Sequence, residues 1–186
     1  MPMQNAQDTA LPDANVRLQE LILYVANRCD RDFSFGSTKL NKILFYADFI
    51  AYVRLGQPIT GAVYQRLPHG PAPRALVPVK REMIESGVAV ERQKIVFGKT
   101  QKRLVPLREA NLDLFSAHHI AVVDEVIEVL SNHNAVQVSE LSHQFPGWSL
   151  AENKETIPYY TALLEVSDWI PDQDIVDEGA RLAASL

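Results

Sequence analysis

Cysteine is nearly absent from this sequence, in which Cys29 is the only one among 186 residues. A single cysteine excludes a disulfide within the chain and a cysteine-based zinc cluster. Histidine is also scarce, and none of the five is followed by another at the four-residue spacing that places two imidazoles on one helical face. We therefore expect a reducing compartment, no metal and no cofactor.

Long hydrophobic runs are missing as well. No segment has the roughly 18 consecutive apolar residues that a membrane-spanning helix needs. The first residues, MPMQNAQDTALPDA, lack the basic start and the continuous apolar stretch of a secretory signal. We expect a cytoplasmic protein with no membrane contact, in which residues 1–14 form a flexible tail and residues 15–186 form a single domain. With 47% hydrophobic residues, a chain of this length can bury a sizeable core.

Positive charge is not in excess, because 18 lysines and arginines face 23 acidic residues and the net charge is −5. This balance weighs against a protein that binds nucleic acid over its whole surface, although a local basic patch stays open. One such patch follows a predicted helix, within the segment VAVERQKIVFGKTQKRLVPL. Its basic residues are Arg92, Lys94, Lys99, Lys102 and Arg103.

The order of helix and basic hairpin is the one found in winged-helix proteins, so these five residues are candidates for nucleic-acid binding. An edge hairpin protected by charge against aggregation has the same composition, and the net charge favours that interpretation. An acidic protein partner is a third alternative for the same patch.

A catalytic constellation is also lacking. The segment FGKT at residues 97–100 imitates the end of a phosphate-binding loop, but Gln93 stands where that loop needs its first glycine. Asp124 and Glu128 lie one helical turn apart, a spacing more typical of a solvated helix face than of an acid and base pair. Cys29 follows a helix end that disfavours a thiolate, and we expect a small, semi-buried residue there. The sequence predicts no catalytic residues and a protein that is not an enzyme.

What the sequence does contain is helical periodicity. Leu18, Leu21, Ile22 and Val25 form one apolar stripe of a helix that starts near Asp13. A second helix, capped by Ser37 or Thr38 and ended by Gly56, is apolar around so much of its circumference that we expect it at the centre of the fold. Further helices are predicted in the segments SAHHIAVVDEVIEVLSNH, VQVSELSHQF (capped by Ser139) and TIPYYTALLEV.

Strand signals are fewer. A short strand is predicted in GAVYQRL, and a hairpin turning at Gly98 with Val88, Val90, Val105 and Leu107 inward. Pro78 should kink or split the helix between these elements. The predicted fold class is α+β, predominantly α: a compact helical domain with a short strand and a β-hairpin.

Four short motifs in one order resemble a known family. They are KLNKILFYAD at residues 39–48, GQPITG at residues 56–61, HGP at residues 69–71 and ELSHQFPGW at residues 140–148. Together they resemble the Panacea antitoxin domain, the SocA-like family that is also described among phage-associated proteins. The resemblance spans most of the chain, from about Leu18 to Leu164.

The resemblance implies a mostly helical domain that neutralises a toxin protein of a toxin–antitoxin system by binding it, and that could also deliver the toxin to a cellular protease. Some candidate partner-binding residues are carried over from the family motifs by position, and others are polar side chains expected at the surface near the Gly-Pro turn. Together they are Lys39, Lys42, Tyr46, Arg66, His69, Gly70, Pro71, Arg74, His143 and Trp148. His69 departs from the aromatic residue that many members have before Gly-Pro.

The physical chemistry of the segment GQPITGAVYQRLPHGPAPRAL agrees with this interpretation. Its prolines restrict the backbone and Gly70 permits a sharp reversal, so we expect a rigid connection and not a flexible linker. For Gly70 and Pro71, packing and partner contact remain equal alternatives, whereas Arg66, His69 and Arg74 are favoured as contacts. Lys39 and Lys42 lie in the first turn of a helix, where positive charge is unfavourable, and we expect both to be exposed.

Overall fold

The computed structural model of the protein describes residues 13–96 and 98–167. It contains helices α1 (Ala14–Arg28), α2 (Ser37–Leu55), α3 (Leu76–Glu85), α4 (Ala117–Ser131), α5 (Ala135–His143), α6 (Pro146–Leu150) and α7 (Thr161–Ser167), together with a 3-10 turn at Leu112–Leu114. The strands are β1 (Tyr64–Gln65), β2 (Ala72–Pro73), β3 (Ala89–Val96), β4 (Lys99–Pro106) and β5 (Thr156–Ile157). The predicted fold class is confirmed. Most of the predicted tail lies outside the described residues, and Ala14 already belongs to α1.

Helix α2 lies at the centre of the fold, as its composition predicts. Ten of its side chains are buried, and it contacts α1, α4, α5 and α7. The apolar stripe of α1 packs into the same core, since Leu18, Leu21, Ile22 and Val25 are all inaccessible to solvent. Burying such stripes is the main source of helix stability in a protein of this size. Within the described residues, no helix is long and apolar enough to span a membrane.

The strands form two small antiparallel sheets. In one sheet β1 lies between β2 and β5, and in the other β3 pairs with β4 around the turn at Gly98. The predicted short strand is therefore shortened to Tyr64–Gln65, and the predicted hairpin is confirmed.

The predicted inward face of the hairpin is wrong by one residue. The buried side chains are Ala89 and Leu104, while Leu107 is 57% exposed. Successive side chains of a strand point to opposite faces, so Ala89 shares a face with Glu91. The carboxylate of Glu91 accepts a hydrogen bond from Lys80 of α3, which shows that this face is turned towards α3.

Three helix boundaries also differ from the predictions. Pro78 is the third residue of α3, in the first turn, where a backbone N–H has no intrahelical acceptor. The donor that proline lacks therefore costs no helical hydrogen bond, and Pro78 does not kink the helix. Helix α5 begins four residues before Ser139, because Asn134 caps it in a reciprocal arrangement with Gln137. Gly36 precedes α2 in place of the predicted Ser37 or Thr38 cap, whereas Gly56 ends that helix as predicted.

Candidate partner-binding site

Lys39 is buried, so the expectation that it is exposed is wrong. Its ammonium group donates to Asp32 Oδ2 at 2.6 Å and to Ser34 Oγ at 3.0 Å. It also donates to the backbone carbonyls of Ser131 at 3.2 Å and His133 at 2.8 Å, at the C-terminal end of α4. These oxygens offset the loss of water, and together they fasten the loop before α2 to the end of α4.

Lys42 is buried as well, and the expectation of exposure is wrong here too. Its Nζ donates to the carbonyl oxygen of Pro71 at 3.1 Å. Burial lowers the pKa of Lys42 to about 7, because water no longer solvates the ammonium. The Lys42 side chain therefore supports the Gly-Pro turn from below.

The Gly-Pro turn requires glycine at residue 70. Gly70 has a φ of 97°, which a side chain rarely permits. A Cβ atom on it would lie 2.3 Å from Ser142 Oγ and 2.7 Å from Lys42 Nζ. The turn is thus packed directly against α2 and α5, and the hydroxyl of Ser139 donates to the carbonyl of His69 at 2.8 Å. Gly70 and Pro71 are both buried, which favours the packing alternative for these two residues.

Arg66, His143 and Trp148 form a stack beside this turn, here called the Arg–Trp–His stack. The rings of His143 and Trp148 are nearly parallel with centroids 4.0 Å apart, and the guanidinium of Arg66 lies 4.3 Å from the centroid of the Trp148 ring. The indole N–H of Trp148 donates to the carbonyl of Leu67 at 3.1 Å. All three side chains are half-buried, so the stack joins the core to the surface.

His143 is held neutral in this environment. Burial lowers the pKa of its imidazole, and the neighbouring cations Lys42 and Arg66 lower it further. Its Nε2 atom is buried and has no hydrogen-bond partner among the described residues. A neutral ring avoids repulsion from both cations while it stacks on Trp148.

The remaining predicted partner-binding residues differ in exposure. His69 and Arg74 are exposed, and Tyr46 is half-buried beside Phe45. The guanidinium of Arg74 donates to the carbonyl of Lys154 at 2.9 Å and to Thr156 Oγ1 at 3.0 Å, so one edge of it is already occupied. Arg66 donates to the carbonyl of Ala151. The structure therefore brings Arg66, His69, His143 and Trp148 to one region of the surface, above buried Lys42, Gly70 and Pro71.

Asp48 belongs to the first motif, but its role as a buried hydrogen-bond acceptor was not predicted from the sequence. It is fully buried and accepts hydrogen bonds from the backbone N–H of Thr60 at 2.7 Å, from the Thr60 hydroxyl, and from Tyr64 Oη at 2.8 Å. Burial raises the pKa of the Asp48 carboxyl, whereas these donors lower it less strongly. A lone carboxylate on an apolar helix is a signal that could have predicted such partners, because a buried charge needs them. The contacts tie the second motif, GQPITG, to α2.

The basic residues of the hairpin do not form one uniform patch. Arg92, Lys94, Lys99 and Lys102 are exposed. Arg103 instead donates to the carbonyls of Cys29, Asp30 and Asp32, where it satisfies the C-terminal end of α1. Its side chain therefore has a structural role in addition to its charge.

The other candidates for chemistry have structural partners. Asp124 accepts hydrogen bonds from Tyr24 and Arg28, and His119 completes the capping box at the start of α4. Cys29 is buried, and burial raises the pKa of its thiol to about 11, which disfavours a thiolate. No three metal-ligating side chains cluster anywhere in residues 13–96 and 98–167.

Comparison with known proteins gives one match. The family model described as "Antitoxin SocA-like, Panacea domain" matches residues 40–149, which is more than half of the chain. No curated protein and no solved structure matches significantly. The matched segment begins in α2 and ends one residue after Trp148. It therefore contains the Gly-Pro turn, the Arg–Trp–His stack and the buried surroundings of Lys42 beneath Gly70 and Pro71, here called the Lys42 pocket. The chain therefore belongs to the family of SocA-like antitoxins with the Panacea domain.

Proposed function

We propose that this protein is an antitoxin that neutralises a co-encoded toxin by binding it directly, without catalysis of its own. Membership of the SocA-like antitoxin family is the observation that carries the proposal. The Arg–Trp–His stack is consistent with a binding surface, because stacking and hydrogen bonds hold its half-buried side chains in place at the surface.

The proposed contact surface consists of His69, Arg74 and the outer faces of the Arg–Trp–His stack. An aromatic ring and a guanidinium held in place by packing lose little conformational entropy when a partner docks, and such side chains are enriched among the residues that dominate binding energy. Buried Lys39, Lys42, Gly70 and Pro71 would then act by positioning this surface and not by touching the toxin.

The test is co-expression of the tagged chain with the product of its adjacent open reading frame, followed by native mass spectrometry of the purified material. We expect a complex of defined stoichiometry, and rescue of growth when the second protein alone arrests it. Absence of both would refute the proposal. His69→Ala with Arg74→Glu should weaken the complex, whereas Arg81→Glu, an exposed change on α3, serves as the control.

Neutralisation could proceed by blocking the toxin or by delivering it to a cellular protease. The half-life of the toxin in cells separates these routes. If blocking suffices, the toxin is as stable with the antitoxin as without it. An adaptor would shorten that half-life, and deletion of the protease would restore it.

Binding of the promoter DNA is a second candidate function, favoured by the four exposed basic residues of the hairpin. It predicts a salt-dependent shift of the promoter fragment that is lost on Lys99→Glu combined with Lys102→Glu. A shift that survives the double charge reversal would exclude the hairpin as the DNA contact.

A further inference from the structure

A groove lies between β4 and the N-terminal ends of α2 and α5, here called the hairpin groove. Its volume is about 620 Å³, and its lining includes Phe33, Ser37, Val96, Lys99, Lys102 and Val136. None of these residues belongs to the Arg–Trp–His stack. Helix α5 connects the two regions, since Val136 in its first turn lines the groove and His143 at its end belongs to the stack.

The groove exposes large apolar side chains. Phe33 is 84% exposed and Val136 is 55% exposed, on two different elements that face the same depression. Burying an apolar side chain of this size in a complex is favourable by about 1.5 to 3 kcal/mol. An apolar depression of this kind is therefore suited to receive an apolar side chain of a partner.

The rim of the groove is positively charged. Lys99 has no carboxylate partner within the described part of the chain, and the ammonium of Lys94 lies 5.8 Å from the centroid of the Phe33 ring. Lys102 is 3.9 Å from Glu91, which already accepts a hydrogen bond from Lys80 at 3.1 Å. The nearby carboxylate of Asp32 is held by Lys39. The cations around the groove thus remain available to an acidic partner.

We propose that the hairpin groove binds an acidic segment of the toxin that inserts an apolar side chain between Phe33 and Val136. The proposal rests on the proposed antitoxin function, because it names the chemistry of the partner that this function requires. Lysines at the rim would pair with the carboxylates of the segment and the apolar floor would take its side chain. The exposed apolar side chains favour a protein segment over nucleic acid, whose phosphates would use the lysines but not Phe33 and Val136.

The experiment measures binding of the co-expressed product of the adjacent open reading frame to the full chain by biolayer interferometry. Lys99→Glu with Lys102→Glu should weaken binding at least tenfold, and so should Phe33→Ala with Val136→Ser. Lys99→Gln with Lys102→Gln removes the charges without repelling Glu91 and should weaken binding in the same direction. The controls are Arg31→Glu with Arg81→Glu, which reverse two exposed charges elsewhere, and Leu150→Ala, which truncates an exposed apolar side chain on α6.

The outcomes are distinct. If the wild-type chain does not capture the product, the antitoxin function is refuted and this inference fails with it. If the wild type binds and every groove variant binds within twofold of it, the inference alone is overturned. Binding by the controls should equal that of the wild type, and the loss in the lysine variants should grow as salt is lowered, since exposed charges are screened by salt.

Zero-length cross-linking of amines to carboxylates identifies the occupant. Links from Lys99 or Lys102 to an acidic segment of the captured protein support the inference. Links only to carboxylates within residues 168–186 of this chain would overturn it in favour of an internal occupant. Promoter DNA is then added as a competitor of the captured protein. Displacement that requires Lys99 and Lys102 but is unchanged by Phe33→Ala would overturn the inference in favour of nucleic acid as the occupant.

Discussion

Two lysines of the same helix are buried to the same extent but in different surroundings. Lys39 and Lys42 lie three residues apart on α2, and each is 1% exposed. Lys39 has a carboxylate and three further oxygens around its ammonium group. Lys42 donates one hydrogen bond, to the carbonyl of Pro71, and has no carboxylate partner among residues 13–96 and 98–167.

The difference shows two ways in which a fold accommodates a buried amine. In the Lys39 pocket, burial alone would raise the pKa of Asp32, but hydrogen bonds from Lys39 and Ser34 outweigh it and the pKa is lowered. The carboxylate of Asp32 is therefore kept charged. In the Lys42 pocket the described residues provide no opposite charge, so burial lowers the pKa of the lysine to about 7 and the amine exchanges its proton near neutral pH.

The largest expected loss in the free energy of unfolding comes from breaking the ion pair of Lys39 and Asp32. Lys39→Met leaves Asp32 without its cation and removes the ammonium that donates to the carbonyls of Ser131 and His133, so it should lower the free energy of unfolding by about 3 to 5 kcal/mol. Lys42→Met removes one hydrogen bond, worth about 1 kcal/mol, and also the cost of burying an amine. Urea unfolding of both variants at pH 8 checks this. Equal losses in the two variants would contradict the comparison.

The next effect concerns the space around Lys42. Gly70→Ala should cost about 3 kcal/mol, since it adds left-handed strain to an overlap with Ser142 and Lys42. Gly56→Ala is the matched control, because Gly56 has a φ of 79° and a Cβ there would meet nothing within 4 Å. The control should therefore lose only about 1 kcal/mol. Similar losses at both glycines, in thermal or urea unfolding, would show that the Lys42 pocket is not closely packed.

Much of the fold could be predicted because helical stripes are local signals. The stripe of α1 and the nearly all-apolar circumference of α2 follow from spacing within one helix, and both are buried as expected. The order of the four motifs likewise predicts the family before any contact is known. Such features need no knowledge of which elements meet.

The pockets could not be predicted for the opposite reason. The carbonyls that hold Lys39 belong to residues more than 90 positions later, and the one that holds Lys42 belongs to Pro71. A lysine in the first turn of a helix is ordinarily exposed, so local reasoning placed both in solvent. The predicted inward face of the hairpin was wrong by one residue because Ala89, a small side chain, gives a weaker hydrophobic signal than Val88 and Val90 on either side of it. Ala89 is nevertheless the residue that is buried.

The Lys42 pocket also predicts that the stability of the protein depends on pH above neutrality. In the unfolded chain Lys42 keeps its proton up to the usual lysine pKa near 10.5, whereas in the folded protein it loses it near pH 7. Between these values the unfolded state binds more protons, so stability rises with pH by up to about 1.4 kcal/mol per unit. Urea unfolding from pH 7 to 9 measures this slope. Lys42→Met should remove this contribution, while Arg81→Lys, an exposed change, should keep it.

The smallest coupling energy is expected for the solvent-exposed ion pair of Arg54 and Glu125, whose contact distances resemble that of Lys39 and Asp32. Arg54 and Glu125 form two hydrogen bonds, of 2.5 and 2.9 Å, but each side chain is 50% exposed. The Lys39–Asp32 distance of 2.6 Å is nearly the same, so burial is what separates the two pairs. A double-mutant cycle with Arg54→Gln and Glu125→Gln should give a coupling below about 1 kcal/mol, because solvent and side-chain entropy cancel most of the attraction. A corresponding cycle with Lys39→Met and Asp32→Asn should give several times that value. If the exposed pair couples as strongly as the buried one, short contact distance and not burial governs the energetics of the Lys39 pocket.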